Sequence, residues 1–113
     1  MAKYEARLQG DFGALLSAVH NAILRGSVSA SFEEGSDYQS GELRCAVRVY
    51  ERYSAMGGNR VSLNFTLIGS GRELFASAIT SGGSQAMFFK INTLGEESFL
   101  QQAIRAIDGY RGG

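Results

Sequence analysis

A chain of 113 residues with 44% hydrophobic and 19% charged side chains is sized for one hydrophobic core and too apolar for a disordered tail. Eleven basic residues balance eleven acidic ones, so no global field draws the protein to nucleic acid or an anionic membrane. Cys45 stands alone, which excludes an internal disulfide and suits a reducing compartment.

The N-terminus, MAKYEARLQG, has no apolar h-region, and the longest uncharged stretch, 74–89, is broken by Ser81-Gly82-Gly83-Ser84. A cytoplasmic protein with no membrane segment is the expectation. Lys3 to Gln9 alternates strictly, with Tyr4, Ala6 and Leu8 on one side, and predicts a half-buried strand. Asp11 is placed to cap a helix carrying Phe12, Leu15, Leu16, Val19 and Ile23 on one stripe, and Gly26 stands where a left-handed terminal residue is wanted.

Period two resumes with Val28, Ala30 and Phe32, then a polar loop is expected over 34–41. A longer strand over 42–53 follows. Its Leu43, Cys45, Val47 and Val49 are expected to face the core, with Glu51 and Tyr53 continuing that parity. Arg44, Arg48, Tyr50 and Arg52 would then share the solvent side. The stretch 54–59 reads as a hairpin loop, and Val61, Leu63, Phe65 and Leu67 as the inward parity of the next strand. After a turn at 69–71, the segment 72–80 is apolar on both parities, as two-sided burial or a subunit contact would require. A last strand over 85–92 carries Met87, Phe89 and Ile91. Thr93 and Glu96 have the spacing of a capping box before a closing helix, with Phe99, Leu100, Ala103, Ile104 and Ile107 as its stripe.

The expected order is β-α-β-β-β-β-β-α, an α+β fold in which about six strands form a curved antiparallel sheet and the C-terminal helix packs on its concave face. A single domain spans 1–110, with 111–113 as a short tail. The order is similar to helix-grip and TATA-binding-protein-like architectures, a likeness of topology that carries no function by itself.

Chemistry is sparse. The glycine-rich turns lead into strands rather than helices, so they do not cradle phosphate. His20 and Cys45 are too few for a structural zinc site, although they leave a cysteine–histidine nucleophile arithmetically open. No cofactor, metal or catalytic residue is assigned. Two clusters remain. One is a pocket between sheet and closing helix, lined by Leu63, Phe65, Met87, Phe89 and Ile104, with Glu51 and Tyr53 at its rim, suited to a small apolar ligand. The other is an exposed face bearing Arg44, Arg48, Tyr50, Arg52 and Arg60, suited to an anion or a protein partner; nucleic acid is disfavoured by the zero net charge.

Two whole strings, VYERYSAMGGNRVSLNFTL at 49–67 and SAITSGGSQAMFFKINTLGEESFL at 77–100, resemble a family of small bacterial proteins built on a domain of unknown function. The resemblance implies a single-domain bacterial protein and transfers no functional residues. The sequence therefore supports a non-enzymatic ligand-binding module, or alternatively a homo-oligomeric interaction protein using 72–80 or the arginine-bearing face.

Overall fold

The computed structural model describes residues 1–53, 60–82 and 89–112, with 89–94 described by their backbone alone. In chain order the elements are β1 (Ala2–Gln9), α1 (Phe12–Arg25), β2 (Ser31–Ser40), β3 (Leu43–Tyr53), β4 (Arg60–Ser70), β5 (Glu73–Gly82) and α2 (Phe89–Gly112). The fold is α+β, and the described residues form a five-stranded sheet in the order β1-β5-β4-β3-β2. Every neighbouring pair is antiparallel. Gly41 and Gly71 close the β2–β3 and β4–β5 turns at φ of 58° and 60°, a conformation that only glycine adopts without strain.

The sixth strand expected over 85–92 is not found among the described residues, where 89–92 belong to α2 instead. Met87 and the rest of 83–88 lie outside the described residues, as does the hairpin loop expected at 54–59. A short apolar run does not by its spacing separate strand from helix. Thr93 is consequently inside the helix rather than at its cap, and the chain expected as a tail continues the helix to Gly112.

Helix α1 begins where the sequence predicts. Asp11 adopts an extended backbone and its carboxylate accepts from the Ala14 amide at 2.8 Å. Asp11→Ala should cost about 1 kcal/mol, read as a thermal midpoint lowered by about 4–6 °C, with Asp11→Asn recovering most of it. Gly26 departs from expectation: its φ is −77°, so it is right-handed. Glycine gives room there, since a Cβ would come within 2.9 Å of the Ala22 carbonyl oxygen, and it leaves space for Gln102, whose amide donates to the Gly26 carbonyl at 3.1 Å.

Helix α2 buries Phe99, Leu100, Ala103 and Ile107 and exposes Glu97, Gln101, Arg105 and Asp108. It crosses β1, β5 and β4, while α1 lies beside it and reaches β4. Glu96 is 5% exposed and fastens α2 to the end of β5. Its carboxylate accepts from the Gly82 amide at 2.8 Å and from the Met1 ammonium, and its carbonyl accepts from the Thr80 hydroxyl at 3.1 Å. Both helices thus cover one face of the sheet. Strand β2, at the far edge, is covered on neither face, and only Ser31 and Gly35 of it are even half-buried. That is why most of it reads as a polar loop in the sequence: a strand open on both sides has no apolar parity to show.

Candidate functional site

The parity of β3 decides what each face offers. Residues directly opposite across a strand pair share a face. Tyr50 stands opposite Leu63, Arg48 opposite Phe65 and Ala46 opposite Leu67, and the three β4 residues are fully buried beneath the helices. The arginine parity of β3 therefore faces the helices, and the valine parity faces out, the reverse of the expected arrangement. The inversion has a physical basis in the arginine side chains, whose stems pack while their heads find partners. Arg44 lies 4.2 Å over the Phe12 ring and Arg52 lies 4.6 Å over Phe99. Arg48 donates to Asp37 at 2.9 Å and to the Val47 carbonyl at 3.0 Å. Burial lowers the pKa of Arg52, whose guanidinium also donates to the Gly95 carbonyl at 3.4 Å.

Tyr50 is the largest fully buried side chain. Its hydroxyl lies 2.8 Å from His20 Nδ1, and the rings of His20, Phe32 and Tyr50 sit with centroids 5.6–5.8 Å apart. Burial pushes the phenol up to about 12, against an opposing pull from the Arg48 charge.

The two predicted clusters come apart on this parity. Leu63 and Phe65 are fully buried core, and Ile104 packs half-buried against it. Glu51 and Tyr53 lie on the opposite face of the sheet, so they do not rim a pocket beneath α2. Glu51 pairs there with Arg60, whose guanidinium also lies 5.6 Å from the Tyr53 ring. Met87 is outside the described residues, and Phe89 opens α2. Arg60 is separated by the sheet from Arg44, Arg48 and Arg52, so no exposed four-arginine stripe exists. Cys45 and His20 are likewise on opposite sides of the sheet, which removes the nucleophile pair. Among the described residues no three His, Cys, Asp or Glu side chains cluster to hold a metal, and no helix is long and apolar enough to cross a membrane.

What the arrangement does bring together is an apolar patch on the uncovered face. The strand registers align Tyr38, Cys45, Ile68, Phe75 and Arg7 in one row across all five strands. A second row holds Glu34, Val49, Asn64, Ile79 and Lys3, and Val47 and Leu43 continue the apolar column of β3. Tyr38 is 62% exposed, Leu43 42%, Ile68 38% and Ile79 37%, with Phe75 half-buried. Charges stand at the margins: Lys3, Glu5 and Arg7 on β1, Glu34 on β2, Glu73 and Glu51 at the strand ends. Beside the row, Arg7, Gln9, Ile68, Glu73 and Phe75 border an open depression of about 540 Å³. Two smaller clefts lie elsewhere, one of about 220 Å³ among Phe12, Asp37, Tyr38 and Arg44 and one of about 240 Å³ between α1 and β3 beside His20 and Arg48.

This patch was half legible in the sequence. The two-sided segment 72–80 resolves into Leu74, Ala76, Ala78 and Thr80 beneath the helices and Phe75 and Ile79 on the open face. Tyr38 was missed because its strand reads as loop, and Ile68 because it follows the solvent parity of β4. No curated protein and no solved structure matches the chain. A family model, the family of unknown function DUF6054, matches residues 1–111, and the chain belongs to that family.

Proposed function

We propose that this protein is a self-associating module in which two copies bury their uncovered sheet faces against each other. The observation that carries this reading is the continuous row Tyr38–Cys45–Ile68–Phe75 on the face neither helix covers. Contiguous exposed apolar patches on soluble proteins mark interaction surfaces, whereas scattered single side chains do not. Five strands about 4.8 Å apart and about ten residues long present a face of roughly 600–800 Å², close to one side of a standard interface. An apolar row crossing the face, with hydroxyl and amide side chains of β4 beside it and charges at the margin, has the mixed composition of a specific contact.

Edge-to-edge pairing through β2 is a poorer use of the same molecule. That edge carries Glu33, Glu34 and Asp37 and a register shift between Phe32 and Glu34, all of which oppose a further strand. A small ligand between sheet and α2 would have to displace Leu63 and Phe65, which are already fully buried by their neighbours. A reducing, cytoplasmic setting suits the lone Cys45, which the association would cover.

Sedimentation equilibrium at micromolar concentration tests the reading directly. The expected mass is twice the 12.2 kDa of the chain. A mass of one chain persisting to tens of micromolar would overturn it.

A further inference from the structure

We infer that the two copies stack about a two-fold axis parallel to β4, with Tyr38 of each copy seated in the depression beside Arg7 of the other. This rests on the proposed association through the uncovered face and specifies its geometry. Closed dimers repeat the same patch on both sides, so the face must complement itself under a half-turn. Strand β4 is the middle of five, with β3 and β5 flanking it and β2 and β1 at the edges. A half-turn about an axis along β4 keeps every row and exchanges left for right. It lays β4 on the partner's β4, β3 on the partner's β5 and β2 on the partner's β1.

The rows through Ile68 and Asn64 fit that exchange. Cys45 meets the partner's Phe75, and Val49 meets the partner's Ile79, so apolar faces apolar on both sides of the axis. At the edges Lys3 meets the partner's Glu34, opposite charges at the same level. Tyr38, which projects at 62% exposure from one edge, meets the hollow that Arg7 and Phe75 border at the other edge of the same row. Projection and hollow occupy mirror positions across β4, and a ring seated there has a guanidinium at hand for a cation–π contact.

The other face-to-face half-turn, about an axis across the strands, keeps columns and inverts rows. It would set Lys3 against the partner's Arg7 and the Asn64 amide against the partner's Ile68. Like charges facing and an amide buried on an apolar side chain both cost free energy. The sheet chemistry therefore selects the strand-parallel axis. Aligned stacking of this kind leaves the sheets about 10 Å apart, crossing at about 30°. The cleft beside His20 and Arg48 stays open on the outer side of the dimer.

A double-mutant cycle reads this register. The dimer dissociation constant is measured by sedimentation for the wild type, Tyr38→Ala, Arg7→Ala and the double variant, with circular dichroism confirming the fold of each. Each single change should weaken the dimer about tenfold, and the double should fall short of the product by about fivefold or more. Within one chain residues 7 and 38 are four strand spacings apart, about 19 Å, too far to couple, so any coupling crosses the interface. Charge reversal supplies the sign. Lys3→Glu should weaken the dimer at low salt, and adding Glu34→Lys should restore it. Strict additivity in the cycle, or a Lys3→Glu variant that dimerises more tightly, overturns this register while the open-face dimer stands. A wild type that stays monomeric removes the association itself.

Discussion

Under the proposed association through the open sheet face, Ile68→Asp should convert dimer to monomer, with a dissociation constant raised at least a hundredfold over the wild type's. Ile68 is on the central strand, 38% exposed, between Cys45 of β3 and Phe75 of β5. In a face-to-face dimer with its two-fold axis along β4 it lies on that axis and in the apolar row, so one substitution brings two carboxylates toward each other within the contact. Removing like charges from water without partners costs several kcal/mol, and about 3 kcal/mol already gives the stated hundredfold. The monomer should keep its fold, because Ile68 points away from the buried face and its neighbour Leu67 fills the core instead. Ile68→Thr, which shortens the side chain without a charge, should give an intermediate loss. Size-exclusion mass and thermal melting at one fixed protein concentration separate the two effects, since melting of a dimer depends on concentration. An Ile68→Asp protein that still runs as a dimer would move the contact to another surface.

The contrast between Ile68 and Leu67 shows how unevenly the sequence displays this fold. In β4 the inward parity is uniformly apolar, Val61, Leu63, Phe65 and Leu67, and the outward parity is largely polar, so the strand and its buried side are readable at once. β1, α1 and the stripe of α2 are equally plain, because each has one wet side and one dry side. β3 has no such asymmetry. Both of its parities carry side chains that can pack, valines on one and arginines with Tyr50 on the other. Hydrophobicity alone chooses the valines. The fold chooses the arginines because Phe12, Phe99 and Asp37, distant in sequence, supply rings and a carboxylate to receive them.

The same ambiguity hid the candidate site. Once β3 is turned over, Glu51 and Tyr53 leave the supposed pocket, Tyr50 enters the core, and Cys45, Val47 and Val49 surface on the face that carries Phe75 and Ile79. β2 was invisible for a different reason, since an edge strand wet on both sides carries Tyr38 among serines and acids with no period to betray it. The first residues of α2 were lost to a third cause, a short apolar run whose spacing fits a strand as well as a helix. In each case the missing information is a tertiary partner rather than a local preference.

Turning Tyr50 inward has a consequence at high pH. A phenol in the unfolded chain ionises near pH 10, whereas folded Tyr50 holds its proton to about 12 because burial disfavours the phenolate. Below pH 10 both states keep the proton and the group adds no pH dependence. Between pH 10 and 12 the unfolded chain has released a proton that the native state retains, so stability falls as pH rises. Over that window Tyr50 alone should remove on the order of 2 kcal/mol. Tyr50→Phe separates this from every other alkaline effect. At pH 7 it should cost about 1 kcal/mol, because the ring still fills its site against Leu63 and Phe32 while His20 Nδ1 loses its partner at 2.8 Å. Above pH 10 its stability should decline less steeply than the wild type's, and the two curves should cross before pH 12. Urea unfolding followed by circular dichroism from pH 7 to 12, at one protein concentration, measures both slopes. Parallel curves for the two proteins would mean that the Tyr50 hydroxyl is open to water, and with it the reversed parity of β3 would fail.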